Sequence, residues 1–329
     1  MAHSRSVATH DAQNCLVCGA DCAKVLYRLS RFHVLECAVC RQVRLWPLPE
    51  PEEIRQLFKQ LYTTGQGSVP ELASYYGFCY EDRPSNPLVQ LYESWLDTIE
   101  RHQPSGRLLD IGCGTGLFLA VARRRGWSTF GVDDSAEATR HARDHFGLEV
   151  RVGDFADFAR EGRTFDVITM WDIIEHARDP LGLLTAARTC LEPHGLAGLS
   201  TPNQRSILDV VAGLLYRLSG GRMLGPLEKF YIEQHFLYFT PDTLRAVLER
   251  ANLSVTHLEH QLTDLRRLTL SPPLRLGLYG LFALARLFHL ENRLFALARP
   301  TAIAPAEGTG TLEGSLTRGG ASPSGSSGV

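Results

Sequence analysis

The sequence has little in its first residues that suggests export, and it lacks a bilayer-length apolar run, a charge of one dominant sign and an internal repeat. Its first residues, MAHSRSVATHDAQN, hold no apolar core of the kind that directs export, so a cytoplasmic protein is expected. Lys and Arg total 34 against 36 Asp and Glu, a formal net charge of −2 that gives no overall attraction to nucleic acid or anionic lipid, although a local basic patch stays compatible with it. What is present suits an ordinary globular chain: 329 residues, 44% hydrophobic and 21% charged, enough for a large domain plus a small one.

In a reducing compartment the eight cysteines are read as thiols or metal ligands rather than disulfides. Cys15 and Cys18 form one C-x2-C pair, and Cys37 and Cys40 form another. Each pair can sit on a tight knuckle, and two knuckles complete a tetrahedron around Zn²⁺, with Cys22 as a substitute ligand. Four thiolates leave no open position, so the metal is expected to be structural. Lys24, Arg28, Arg31, Arg41 and Arg44, interleaved with Tyr27, Phe32 and Trp46, offer a nucleic-acid surface; the simpler alternative is a zinc-ribbon module over 12–46 that folds on its metal and docks on the main domain. Pro47, Pro49 and Pro51 open a helical linker or lid over 47–104, which carries Tyr62, Tyr75, Tyr76, Tyr80, Tyr92 and Trp95.

From 105 to 300 strands and helices alternate. RLLDIG, WSTFGVD, LEVRVGD, FDVITMWD, GLAGLSTPN, LSVTHLEH and RLFALARP read as seven strands, with helix caps at Asp134 or Ser135, at Asp179 before Pro180, and at Thr240 before Pro241. The expected fold is a doubly wound, Rossmann-like α/β sheet, whose ligand sits outside the carboxyl ends of the strands. The tail over 301–329, rich in Gly, Ser and Pro, is expected to be disordered.

The segment LLDIGCGTGLFL lies at such a strand end. A dinucleotide fingerprint would read G-x-G-x-x-G, but here the third glycine comes one residue early, giving D-x-G-x-G-x-G from Asp110 to Gly116. A carboxylate at Asp110 would repel a pyrophosphate and attract a cation. The loop resembles the first motif of the class I S-adenosylmethionine-dependent methyltransferases at every position. That resemblance implies that Gly112, Cys113, Gly114 and Gly116 let the backbone approach the methionine part of the cofactor while Asp110 faces its ammonium. It further implies that Asp133, with Asp134 beside it, holds the ribose hydroxyls, and that Asp154 and the amide of Phe155 receive the adenine. Trp171 is grouped with them by position alone.

WDIIEHARDP, STPNQ and EQHFLYFTPDTLRAVLERA resemble a subgroup that methylates small molecules, including hydroxylated aromatic quinone precursors and sugars of surface polysaccharides; several members carry a similar cysteine module. Methyl transfer needs in-line placement and removal of the acceptor's proton. His176, after the fourth strand, is the first candidate base, and His235, in a substrate-cap insertion over 204–239, the second. The resemblance to quinone-precursor enzymes implies that Asp172, Glu175 and His176 can hold Mg²⁺ to orient a hydroxyl. The competing classes are a nucleic-acid methyltransferase with zinc-ribbon recognition and a cofactor-binding protein without catalysis. Against the former, the base-gripping Asn-Pro-Pro-aromatic motif is missing after the fourth strand, and no nucleic-acid partner is expected.

An apolar insertion over 270–291 separates the last two strands, and its longest uncharged stretch, Leu276 to Ala285, is too short to span a bilayer. On a helical wheel Arg275, Arg286, His289 and Arg293 share one face. This pattern suits either peripheral contact with a membrane, which would favour a lipid-linked acceptor, or packing against the domain itself or a second copy in a homodimer.

Overall fold

The computed structural model describes residues 14–64, 69–72 and 74–301, with the side chains of 62–64 left out. The tail expected over 301–329 lies outside the described residues from 302 onward, as do residues 12 and 13 of the cysteine module and the side chain of Tyr62.

Two sheets organise the chain. Strands β1 (Ala23–Arg28), β2 (His33–Cys37) and β3 (Val43–Trp46) form an antiparallel meander between and after the cysteine pairs. Helices α1 (Pro51–Thr64) and α2 (Pro87–His102) follow, the second capped by Asn86, whose side chain accepts from the Leu88 amide at 2.8 Å. The large sheet then begins with β4 (Arg107–Ile111), α3 (Leu117–Arg124), β5 (Ser128–Asp133), α4 (Ala136–Phe146), β6 (Val150–Val152), α5 (Phe155–Ala159) and β7 (Phe165–Trp171). It continues with α6 (Pro180–Thr189), β8 (Leu191–Pro202), α7 (Ile207–Leu218), α8 (Gly225–Phe230), β9 (Leu237–Tyr238), α9 (Pro241–Arg250), β10 (Leu253–Gln261), α10 (Pro272–Phe288) and β11 (Arg293–Pro300).

All seven expected strands of the large sheet are present, in the order β6-β5-β4-β7-β8-β11-β10, with only β11 antiparallel to its neighbours. The central strands β4, β7 and β11 are buried on both faces, as strands covered by helices on each side must be, while the edge strands β6 and β10 are more polar and exposed. One cluster, including Ile111, Val132, Ile168 and Leu199, fills one face; a second, including Trp95, Leu108, Val167 and Phe295, fills the other. Local chemistry sets the helix ends. Ser135 caps α4 and left-handed Gly147 stops it, Asp179 caps α6, and Thr240 and Thr243 bond reciprocally at the start of α9.

The chain order reverses between β4 and β7, and the loop after β4 sits at this switch point, where open α/β sheets bind ligands. The insertion between β8 and α9 joins the cysteine module. Its strand β9 pairs with β3, at Val43↔Tyr238 and Arg44↔Leu237, and completes the small sheet as β1-β2-β3-β9. Tyr27, Val34 and Leu45 of that sheet pack with Ala212, Leu227 and Tyr231 of the insertion in a third apolar cluster.

The helical-wheel expectation is corrected for two residues. His289 is the left-handed residue beyond the end of α10, and Arg293 belongs to β11 and is buried. The turn after Phe288 redirects the chain, so a wheel extended through it places Arg293 on a helix face that does not exist.

Candidate active site

The loop from β4 to α3 gives Gly112, Gly114 and Gly116 φ values of +71°, +50° and +83°. A Cβ on Gly112 would stand 2.1 Å from Cδ1 of Ile173, so the left-handed backbone and the close approach of the β7 loop both require glycine there. The amides of Gly112 and Cys113 donate to the Val132 carbonyl at 2.8 and 3.2 Å, which fixes the loop to the end of β5. Asp133, the last residue of β5, accepts from the Gly114 amide on one carboxylate oxygen and from the Ser135 amide on the other, both at 2.8 Å. Burial pushes its carboxyl up to about 6, against the pull of these two amides.

Asp110, Gly112, Cys113, Gly114, Asp133, Asp134, Asp154, Phe155 and Trp171 all line one cavity of about 1730 Å³. Single-ligand sites span roughly 300–1,000 Å³, so this one has room for a cofactor and an acceptor together. Gly116 does not line it. A Cβ there would meet Leu148 and Ala142 at 2.6 and 2.8 Å, so this glycine lets α3 pack closely on the α4 region instead. Asp154 caps α5 by accepting from the Ala156 amide at 2.6 Å. Asp110 is buried and its carboxylate accepts from the Thr169 hydroxyl at 2.6 Å. Burial and the charge of Asp133 push the Asp110 carboxyl up to about 8. Trp171 stacks on Trp95, ring centroids 4.3 Å apart, with Phe118 edge-on at 5.1 Å, and so forms an aromatic part of the wall.

The same cavity is lined by Asp172, Glu175, His176 and His235. Asp172 has φ +56° and accepts from Arg293 and from the Ser200 hydroxyl, the latter at 3.0 Å. Although burial works in the other direction, Arg293 and the more distant Arg267 hold its carboxyl below the usual aspartate range. Glu175 is fully buried; one oxygen accepts from Thr201 at 2.9 Å and the other has no partner. Burial and the charge of Asp172 raise its carboxyl to about 8.

His176 meets the carbonyl of Gln234 through Nδ1 at 2.5 Å, and its ring lies 4.9 Å from that of His235. Burial lowers both imidazoles, and for His235 the neighbouring His176 adds to the effect. Both are therefore shifted toward the neutral form. A carbonyl partner requires Nδ1 of His176 to carry the proton, which leaves Nε2 as an acceptor.

The expected Mg²⁺ triad is corrected by this geometry. Asp172 turns to Arg293, and the residues whose ligand atoms lie within 4.8 Å of one another are Glu175, His176 and His235. One carboxylate and two imidazoles are a poor match for Mg²⁺, which prefers oxygen ligands.

Cys15, Cys18, Cys37 and Cys40 converge, all four sulfurs within 4.8 Å of one another, with Cys15 and Cys40 at 3.4 Å and Cys18 and Cys37 at 3.5 Å. Zn–S bonds of about 2.3 Å in a tetrahedron place sulfurs about 3.8 Å apart, so the donor set fits Zn²⁺ with slight expansion. Cys22 is exposed and stands outside the group. From this cluster β3 runs directly to the catalytic candidates. The Leu45 amide donates to the Phe236 carbonyl at 3.0 Å, and the Phe236 amide donates to the Glu175 carbonyl at 2.8 Å. His235 is thus held next to a residue clamped between the cysteine module and the β7 loop.

Sequence reasoning missed Thr169, Ser200, Thr201, Arg267 and Arg293, which are all buried. For four of them the signal was present: polar residues within apolar strand runs must find partners, and Thr169 finds Asp110, Ser200 and Arg293 find Asp172, and Thr201 finds Glu175, whereas Arg267 lies in a short turn against the Tyr75 ring.

Comparison with known proteins gives the family. Residues 88–258 match the family described as "Methyltransferase domain". The chain belongs to that family. Among similar curated proteins are two named "Ubiquinone biosynthesis O-methyltransferase". The one from Xanthomonas campestris is 34% identical over 131 residues, 37% of this chain and 55% of that protein. The one from Cereibacter sphaeroides is 39% identical over 103 residues, 30% of this chain and 42% of that protein. The chain spans about half the length of the curated relatives it matches. Among solved structures, a SAM-dependent methyltransferase from Archaeoglobus fulgidus is 18% identical with a TM-score of 0.48, covering 68% of this chain and 99% of its own. Magnesium protoporphyrin IX methyltransferase from Synechocystis, with bound SAH, is 14% identical with a TM-score of 0.47, covering 73% and 97%.

Proposed function

We propose that this chain transfers a methyl group from S-adenosylmethionine to a hydroxyl oxygen of a hydroxylated aromatic small molecule. The observation that carries the reading is the pair of adjacent imidazoles, His176 and His235, ring centroids 4.9 Å apart, in the wall of the cavity that also holds the glycine loop and Asp133. When bound, S-adenosylmethionine supplies a methyl on a cationic sulfonium. The chain's own part is to bind, orient and deprotonate. Asp133 accepts from the ribose hydroxyls, and the glycine loop lets the backbone approach the cofactor. The aromatic wall of Trp171, Trp95, Tyr92 and Tyr76 favours a flat acceptor, while His176 accepts the hydroxyl proton at Nε2. His235 is the alternative base. Asp172 acts through Arg293 to shape the wall and is not itself the base. A hydroxylated aromatic acceptor is also consistent with the names of the curated relatives, and the apolar character of the wall favours it over a sugar.

The test is transfer of isotope-labelled methyl from S-adenosylmethionine to a panel of phenols, catechols and nucleotide sugars. Label should appear as a methyl ether on a hydroxylated aromatic, and His176→Ala should slow turnover by about 10²–10⁴-fold, the usual range for a lost general base. Label on a sugar alone, or on no acceptor, would overturn the proposal.

A further inference from the structure

Helix α10 buries only Phe282 and Ala285 among its seventeen residues. On its other side Leu276, Leu287 and Phe288 are 74%, 70% and 62% exposed, which is far beyond what a helix packed on its own domain leaves in water. Helix α7 packs alongside and leaves a second stripe, Val210, Leu214 and Leu218, uncovered at spacings of four. A helix apolar all round requires a cover. The chain segments outside the described residues offer little: residues 302–329 contain Ile303, Leu312, Leu316 and Val329 as their large apolar side chains, and residues 1–13 contain Met1 and Val7.

The charges around this surface indicate what covers it. Arg217 ends α7, Arg222 follows it, and Arg286 lies near the end of α10; all three are exposed. The one carboxylate on either helix, Asp209, is buried and accepts from the Tyr231 hydroxyl at 2.6 Å. The surface is thus apolar with a cationic rim, although the whole chain carries a formal charge of −2. A second copy of the same surface would bring like charges together, whereas anionic headgroups would neutralise them and acyl chains would receive the leucines. Among the described residues no helix is long and apolar enough to cross a membrane, so the contact would be peripheral.

We propose that the α7–α10 surface docks on an anionic phospholipid bilayer. This does not depend on which acceptor the enzyme methylates. The test is co-sedimentation of the full chain with phosphatidylglycerol vesicles and with phosphatidylcholine vesicles, alongside its solution mass by light scattering. The variants are Leu276→Asp with Leu287→Asp, and separately Arg286→Glu; these side chains lie outside the cavity wall, and S-adenosylmethionine binding serves as the check that each variant is folded. The wild type should pellet with phosphatidylglycerol, more weakly with phosphatidylcholine, and less as salt rises. The double variant should lose at least about tenfold in vesicle affinity, and Arg286→Glu about fivefold or more with the anionic vesicles only. Wild-type protein that stays in the supernatant with phosphatidylglycerol would overturn the proposal. So would a dimer that the double variant splits, because the surface would then be a protein interface.

Discussion

Asp172 occupies a position where it could act as base, metal ligand or ion-pair partner, and a double-mutant cycle with Arg293 separates these roles. Arg293 is 6% exposed, at the start of β11, and donates to Asp172 and to the Ser200 hydroxyl at 2.9 Å. Arg293→Met keeps most of the side-chain volume but leaves the carboxylate without its cation. Removing one member of a buried pair costs about 3–5 kcal/mol. Here the Asp172 side chain keeps 32% of its surface open toward the cavity, so water relieves part of the penalty. About 2–3 kcal/mol is expected, a fall in Tm of about 3–5 °C for a chain of this size. Asp172→Asn should cost a similar amount by stranding Arg293, and the double variant should cost less than the sum, with a coupling of about 1–3 kcal/mol. Urea and thermal unfolding of the four forms supply the cycle, and turnover is followed in parallel. A coupling below about 0.5 kcal/mol, or a loss of activity in Asp172→Asn at unchanged stability, would refute the ion-pair role and restore Asp172 as base or ligand.

Other expectations concern the cofactor loop and the metal module. Asp133 binds ribose best as a carboxylate, and its carboxyl is raised to about 6, so affinity for S-adenosylmethionine should fall as pH drops through about 6. The same raised value means that this group favours the folded state at low pH and loses that contribution as pH rises through about 6. Binding isotherms between pH 7.5 and 5 check the first point, and Asp133→Asn should abolish the dependence. Gly112→Ala puts a methyl 2.1 Å from Ile173 in a left-handed backbone, so it should lose at least about tenfold in cofactor affinity and about 1–3 kcal/mol in stability. Calorimetry and unfolding measure both, and a variant indistinguishable from wild type would contradict the loop geometry. Stripping Zn²⁺ by chelation from protein loaded with it at the four cysteines should cut turnover at least about tenfold by loosening β3, β9 and His235, while the affinity for S-adenosylmethionine changes less than about twofold. Metal-free protein that retains turnover would show that the module does not position His235.

The large sheet was legible because its central strands are short apolar runs separated by caps and glycines, and Asp133 and Asp154 fall at or just beyond strand ends. The four cysteines were legible for a similar reason, since their spacing is local. The pairings across distance were not. β9 is two residues long, Leu237 and Tyr238, and becomes a strand only because β3 lies beside it, nearly two hundred residues earlier in the chain. Arg293 looked like the polar edge of a helix because the sequence does not show where α10 stops and β11 starts. Gly116 matched the motif as well as Gly112, yet it packs two helices together while Gly112 shapes the cavity. Exposure of α10 was also hidden, because an apolar helix reads the same whether it faces a core or open solvent.

The most direct measurement of the central claim is calorimetric titration of the wild-type chain with S-adenosylmethionine and, separately, with NAD. The account expects saturable binding of S-adenosylmethionine, no binding of NAD, and a loss of about 1–3 kcal/mol in Asp133→Ala, the worth of a charged hydrogen bond. Binding of NAD, or of neither ligand by folded protein, would contradict it.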